Sequence, residues 1–199
     1  MTRASTAPYL GPYLLCLLAF WLIGHGAGVQ AGEADLVERL HEGGHVLMIR
    51  HALAPGTGDP AGFRLDDCAT QRNLSDAGRD QARAIGAWLR ERGIARARVY
   101  SSQWCRCLET AELLDLGPVT ELPALNSFYQ RPGDREPNLT ALEAFLADQP
   151  LDDELLVLVT HQVTISAVTG QFTRSGHGVV MRLRAGGLLT PVETLDFGQ

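Results

Sequence analysis

Four side chains in this sequence are of the types that handle phosphorus: Arg50, His51, Arg106 and His161. An imidazole is a competent nucleophile toward phosphorus, and a guanidinium forks onto two phosphate oxygens at once. Their placement carries the argument. Arg50 and His51 end the apolar run Val46-Leu47-Met48-Ile49, His161 ends a second run over 155–160, and Arg106 lies just beyond a third, Val99-Tyr100-Ser101-Ser102. Short apolar runs of this kind read as buried strands, and open α/β sheets bind ligands beyond the carboxyl ends of their strands. One Arg-His pair at a strand end is an ordinary loop start. Two histidines and two arginines delivered to the same sheet edge make a site for a phosphoryl group.

The elements that must hold these residues follow from periodicity and turn chemistry. Residues 34–41 carry the helical pattern Leu36-Val37-x-x-Leu40, stopped by Gly43-Gly44. Residues 52–73 form a loop too long to be a simple connection, and it leaves from His51, so it is expected to wall and cover the pocket. Ser75 is a good N-cap with Asp76 in the first turn, and 77–91 places Ala82, Ile85, Trp88 and Leu89 on one helical face. Arg106 falls near the first turn of a helix beginning around Gln103, where free N–H groups favour anions; the plain alternative is a surface arginine. A strand over 119–122 precedes a Pro/Gly-rich loop over 123–137, and a short helix is expected over 140–147. Gln162 and Thr164 either reach the pocket or simply start a helix running to Gly170. Residues 178–184 and 188–195 read as an edge hairpin across Ala185-Gly186-Gly187.

Composition limits the function. The chain has no lysine, 17 arginines and a formal net charge of −6, a poor balance for a nucleic-acid binder, which works through a basic face. Arg3, the apolar stretch 9–23 and Val29-Gln30-Ala31 follow the grammar of a secretory signal peptide over 1–31. A single-span anchor is the alternative, although the run is near the minimum of about 17 residues for spanning. Large residues before Cys16 make it a poor lipoprotein cysteine. The mature domain is then expected at 32–199, long enough for one domain with its own core and with no stable membrane anchor left after cleavage. It holds Cys68, Cys105 and Cys107. Cys105 and Cys107 point in different directions on a helix, so Cys68 is expected to pair with one of them, tying the long loop to the Arg106 helix; three buried thiols are the alternative. No metal-ligand spacing, P-loop or internal repeat occurs, and neither a metal nor another cofactor is expected.

The strand end Ile49-Arg50-His51, the segment Ser101-Ser102-Gln103-Trp104-Cys105-Arg106-Cys107-Leu108-Glu109-Thr110-Ala111 and the strand end Thr160-His161 together resemble the histidine phosphatase superfamily, also called phosphoglycerate mutase-like. The resemblance spans about 46–170. It implies a three-layer α/β/α sandwich with a mostly parallel central sheet and a metal-independent phosphatase acting on a small phosphorylated substrate. In that chemistry His51 attacks phosphorus while Arg50, Arg106 and His161 hold the oxygens. Asn73-Leu74-Ser75-Asp76-Ala77-Gly78 is similar to the family's Leu-Thr-x-x-Gly helix start, so Asn73 either touches phosphate or caps a turn. The sequence departs from the family where the mutase branch carries a glutamate proton donor: it reads Leu125-Asn126-Ser127, and Ala52 stands where glycine is usual. Asp59, Asp134 and Glu136 are the candidate substitutes, with Asp59 preferred because it lies in the loop leaving His51. An exported phosphomonoesterase is the expected function. The alternatives are a phosphohistidine or other phosphoramidate hydrolase, and a phosphate- or phosphosugar-binding protein without turnover.

Overall fold

The computed structural model describes residue 1 and residues 35–151 and 154–198. The expected signal peptide therefore lies outside the described residues, apart from Met1. Two units divide the chain, Met1–Leu36 and Val37–Gln199; the second is an α/β domain. Among the described residues no helix is long and apolar enough to cross a membrane.

Six strands form one sheet: β1 (His45–Arg50), β2 (Arg98–Ser101), β3 (Val119–Glu121), β4 (Leu156–Thr160), β5 (Gly178–Leu183) and β6 (Leu189–Leu195). Their spatial order is β3-β2-β4-β1-β5-β6. The first four run parallel, and β5 and β6 are the antiparallel hairpin expected from the C-terminal sequence. Residues Leu156–Thr160 of β4 and all of β1 except Arg50 are buried. Continuous burial is what a parallel sheet covered by helices on both faces requires. On one face Val46, Met48, Leu156, Leu158, Val179 and Met181 pack with Leu142 and Leu146.

The helices are α1 (residues 35–41), α2 (Asp76–Glu91), α3 (Cys105–Leu114), α4 (Arg135–Ala147) and α5 (Gln162–Thr169). Ser75 caps α2 as expected, its hydroxyl accepting from the Gly78 amide. Helix α4 starts five residues before the expected Thr140, and Pro137 lies inside its first turn. A proline there loses nothing, because the first-turn amides have no partner within a helix. Helix α5 ends at Gly170, a left-handed cap with φ +71°.

The close approach of β1 and β4 assembles the site. Arg50 is registered opposite Thr160, and the His51 amide donates to the Thr160 carbonyl at 2.9 Å. The next residue of each strand is a histidine, so both emerge together at the carboxyl edge.

Candidate active site

Every residue that the sequence places at the sheet edge lines one cavity of about 240 Å³: Arg50, His51, Asp59, Arg106 and His161. The two imidazoles lie edge to face with ring centroids 5.5 Å apart.

His51 is buried, and its Nδ1 lies 2.8 Å from the Ala52 carbonyl. A carbonyl only accepts, so Nδ1 carries the proton and Nε2 keeps its lone pair. Burial, and then the nearby Arg106 charge, lower the His51 pKa to about 3. The ring is thus neutral at physiological pH and nucleophilic at Nε2. Thr110 holds this geometry: its hydroxyl donates to the Arg106 carbonyl at 2.6 Å and accepts from the Ala52 amide at 3.0 Å.

His161 is fixed from the other side. Its Nε2 lies 2.8 Å from the Ser102 hydroxyl and 3.4 Å from the Cys107 thiol. Burial, followed by the Arg106 and His51 charges, lowers its pKa well below the ordinary value. Asn126 braces the serine, its Oδ1 accepting from the Ser102 hydroxyl at 3.2 Å and from the Gln103 amide at 2.9 Å. Burial also pushes the Cys107 thiol up to about 12, which keeps it protonated.

The two guanidiniums are anchored at one end only. Arg50 donates from Nη1 to the Thr173 carbonyl at 2.9 Å. Arg106 pairs end-on with Asp59, Nη1 to Oδ1 at 2.8 Å and Nη2 to Oδ2 at 3.2 Å. The Nε–H groups of both arginines are buried without a hydrogen-bond partner among the described residues. Buried donors of this kind are costly unless a ligand satisfies them.

Asp59 takes two more hydrogen bonds, from the Arg72 amide at 2.9 Å and the Trp104 indole at 3.0 Å. Burial by itself would raise its pKa, but the Arg106 and Arg72 bonds outweigh it and hold the carboxyl below its ordinary value. An ionised carboxylate with four donors on it is not placed to give up a proton at neutral pH. The other two candidates, Asp134 and Glu136, are exposed and do not line the cavity; Glu136 pairs with Arg135. Ser127, at the position of the family's glutamate, does line it.

Asn73 is a brace rather than a cavity residue, donating to the Cys68 carbonyl at 2.6 Å. Gln162 lines the cavity, and its Oε1 accepts from the Thr173 amide and hydroxyl at 2.9 and 3.1 Å. Thr164 is buried within α5. The expected tie between long loop and α3 is a disulfide from Cys68 to Cys105, and Cys107 is free and buried. Sequence reasoning missed Arg72, Arg131, Tyr129 and Phe172, all on the cavity wall. They lie in irregular segments where no periodicity marks a buried face. Arg72 had one signal, its place beside Asn73 at the end of the loop. Among the described residues no group of three or more histidines, cysteines and carboxylates is arranged to hold a metal ion.

The family model of the histidine phosphatase superfamily (branch 1) matches residues 46–128. Several solved structures share the fold. The protein histidine phosphatase SixA in complex with tungstate is 19% identical, with 77% of this chain and 97% of that chain covered and a TM-score of 0.54. Mycobacterial hydrolase 1 is 17% identical over 76% and 96%, with a TM-score of 0.54. A mycobacterial glucosyl-3-phosphoglycerate phosphatase in complex with VO3 is 18% identical over 74% and 97%, with a TM-score of 0.52. No curated protein matches the sequence. The match over residues 46–128 and the shared fold make this chain similar to the histidine phosphatases.

Proposed function

We propose that the protein is an exported, metal-independent phosphatase that releases phosphate from small phosphomonoesters through a phosphohistidine on His51. The observation that carries this reading is a neutral, tautomer-fixed His51 beside two guanidiniums whose buried Nε–H groups lack partners. In the reaction, Nε2 of His51 attacks phosphorus in line, and the bond to the leaving group breaks with its electron pair. Arg50, Arg106 and His161 hold the equatorial oxygens as charge redistributes. Water then attacks the phosphohistidine, inorganic phosphate leaves, and the imidazole regains its lone pair. The arginines supply positive charge that metal ions supply at other phosphoryl-transfer sites. Asp59 serves as the anchor that aims Arg106.

Export is supported by the apolar leader 9–23 and by the Cys68–Cys105 disulfide, since such bonds persist in oxidising compartments. The native protein is expected to begin near Gly32; an intact mass that retains the leader would contradict this.

One observation favours a second reading. Asp59, the single carboxylate on the cavity among the described residues, is held ionised, which suits leaving groups that need no proton from the enzyme, among them the nitrogen of a phosphoramidate.

Turnover of nitrophenyl phosphate tests the main reading. Purified wild-type protein should release nitrophenolate in the presence of EDTA, and His51→Ala should lose turnover while still binding orthovanadate. Vanadate binding without turnover in the wild type would instead indicate a phosphate-binding protein.

A further inference from the structure

The cavity holds more positive charge than one phosphate ester needs. Among the described residues Arg50, Arg72, Arg106 and Arg131 line it against the single carboxylate of Asp59, an excess of three positive charges in a protein whose net charge is −6. A phosphomonoester carries at most two negative charges; an organic diphosphate carries three. The surplus comes from two arginines outside the His51 constellation. Arg72 donates from Nε to the Gly58 carbonyl at 2.8 Å and from Nη1 to the Ala54 carbonyl. Its Nη2 makes no hydrogen bond among the described residues. Arg131 is exposed, stands over the Phe63 ring at 5.1 Å and has no ion-pair partner among the described residues.

Two further features select the leaving group. Among the described residues no carboxylic acid in the cavity is placed to protonate it, so a group that departs as a stable anion is favoured. Tyr129 and Phe172, 58% and 74% exposed, stand on the rim of the same cavity and offer apolar faces to an organic body.

From this combination we infer that the preferred substrate is an organic diphosphate with a ring or apolar body, whose terminal phosphoryl group is transferred to His51. The inference rests on His51 as nucleophile. Nε2 bonds to the terminal phosphorus and the bridging P–O bond breaks. Its electron pair stays on the departing phosphate ester, which leaves as a dianion without a proton. Arg72 and Arg131 neutralise that second phosphate, and Tyr129 and Phe172 flank its organic part. Water releases inorganic phosphate from His51, and one proton passes to solvent.

The test compares kcat/KM for matched pairs: ADP against AMP, thiamine diphosphate against its monophosphate, and geranyl diphosphate against geranyl phosphate. Nitrophenyl phosphate and a phosphohistidine peptide are run in parallel. The expected result is at least a tenfold preference for the diphosphate in a pair, with inorganic phosphate and the monophosphate as products. Arg131→Gln should reduce that preference at least threefold by raising KM for the diphosphate, with the nitrophenyl phosphate kcat/KM changed less. Arg131 is exposed, so this variant separates charge recognition from folding. Equal rates within pairs, a preference for the monophosphates, release of pyrophosphate, or a higher kcat/KM for the phosphohistidine peptide overturns the inference while leaving the His51 reading standing. Failure on every substrate, nitrophenyl phosphate included, overturns that reading itself.

Discussion

At the scale of single residues, the environment of Asp59 decides its chemistry. Its carboxylate receives both Arg106 Nη groups, an indole and a backbone amide, so Asp59→Asn should disorient Arg106. The loss is expected to be the same, within about threefold, on nitrophenyl phosphate and on an alkyl phosphate. A donor acting as general acid would instead produce a selective loss on the alkyl substrate, since such catalysis is typically worth about 10² to 10⁴. Parallel kcat/KM measurements decide between the two. The buried histidines set a second expectation. His51 has its pKa lowered from 6.5 to about 3, and His161 is lowered as well. Between those pH values the unfolded chain binds protons that the folded chain does not, so stability rises with pH across that window. Stability is complete above about pH 6.5 and is lost as pH falls toward 3. Asp59, depressed from 3.8, contributes a further loss at lower pH, as its carboxylate is protonated through its folded pKa. Urea midpoints measured from pH 7 to pH 4 should therefore fall, and His51→Asn should flatten the slope. A flat wild-type profile would contradict the burial of these rings as neutral bases.

At the scale of elements, glycines permit two close contacts that shape the site. A Cβ on Gly78 of α2 would stand 2.1 Å from the Leu53 carbonyl oxygen, and one on Gly86 2.1 Å from that of Leu114. Both obstacles are backbone, which cannot swing aside. Gly78→Ala should therefore cost about 1–3 kcal/mol, the usual range for overpacking, and should also lower activity, because Leu53 lies two residues after His51. Gly133 has open space around it, so Gly133→Ala should stay within about 0.5 kcal/mol of wild type. Denaturant melts of both variants test this; equal stability would mean that the contact is not tight. The strands and their histidines were legible because apolar runs end abruptly in polar residues at β1 and β4. The start of α4 was not, since Pro137 and the Pro132-Gly133 pair before it mask a helix that tolerates proline in its first turn. The aromatic and arginine wall was hidden for another reason. Arg72, Tyr129, Arg131 and Phe172 come from three irregular segments, and nothing short of the fold brings those segments together. Asp59 was legible as a cavity residue but not as an anchor, because its charge state depends on Trp104 and Arg106, which stand 45 and 47 positions away.

At the scale of the whole molecule, an acidic chain sets four of its 17 arginines around one cavity, and a covalent tie holds part of the wall. The Cys68–Cys105 bond joins residues 37 apart, and closing a loop of that size is worth about 4 kcal/mol in the chain-entropy account. Cys68→Ser should thus lower unfolding free energy by about 2–4 kcal/mol. Gel shift after thiol labelling should find one protected cysteine pair in the wild type; three reactive thiols on unfolding without reductant would contradict the bond. The central claim is that the phosphoryl group passes through His51. Rapid acid-free quenching of wild-type enzyme during turnover of a ³²P-labelled phosphate ester, followed by peptide mapping, tests it most directly. The account predicts acid-labile, base-stable phosphate on the peptide containing His51 and none in His51→Ala; turnover with no label on His51, or undiminished turnover in His51→Ala, would contradict it.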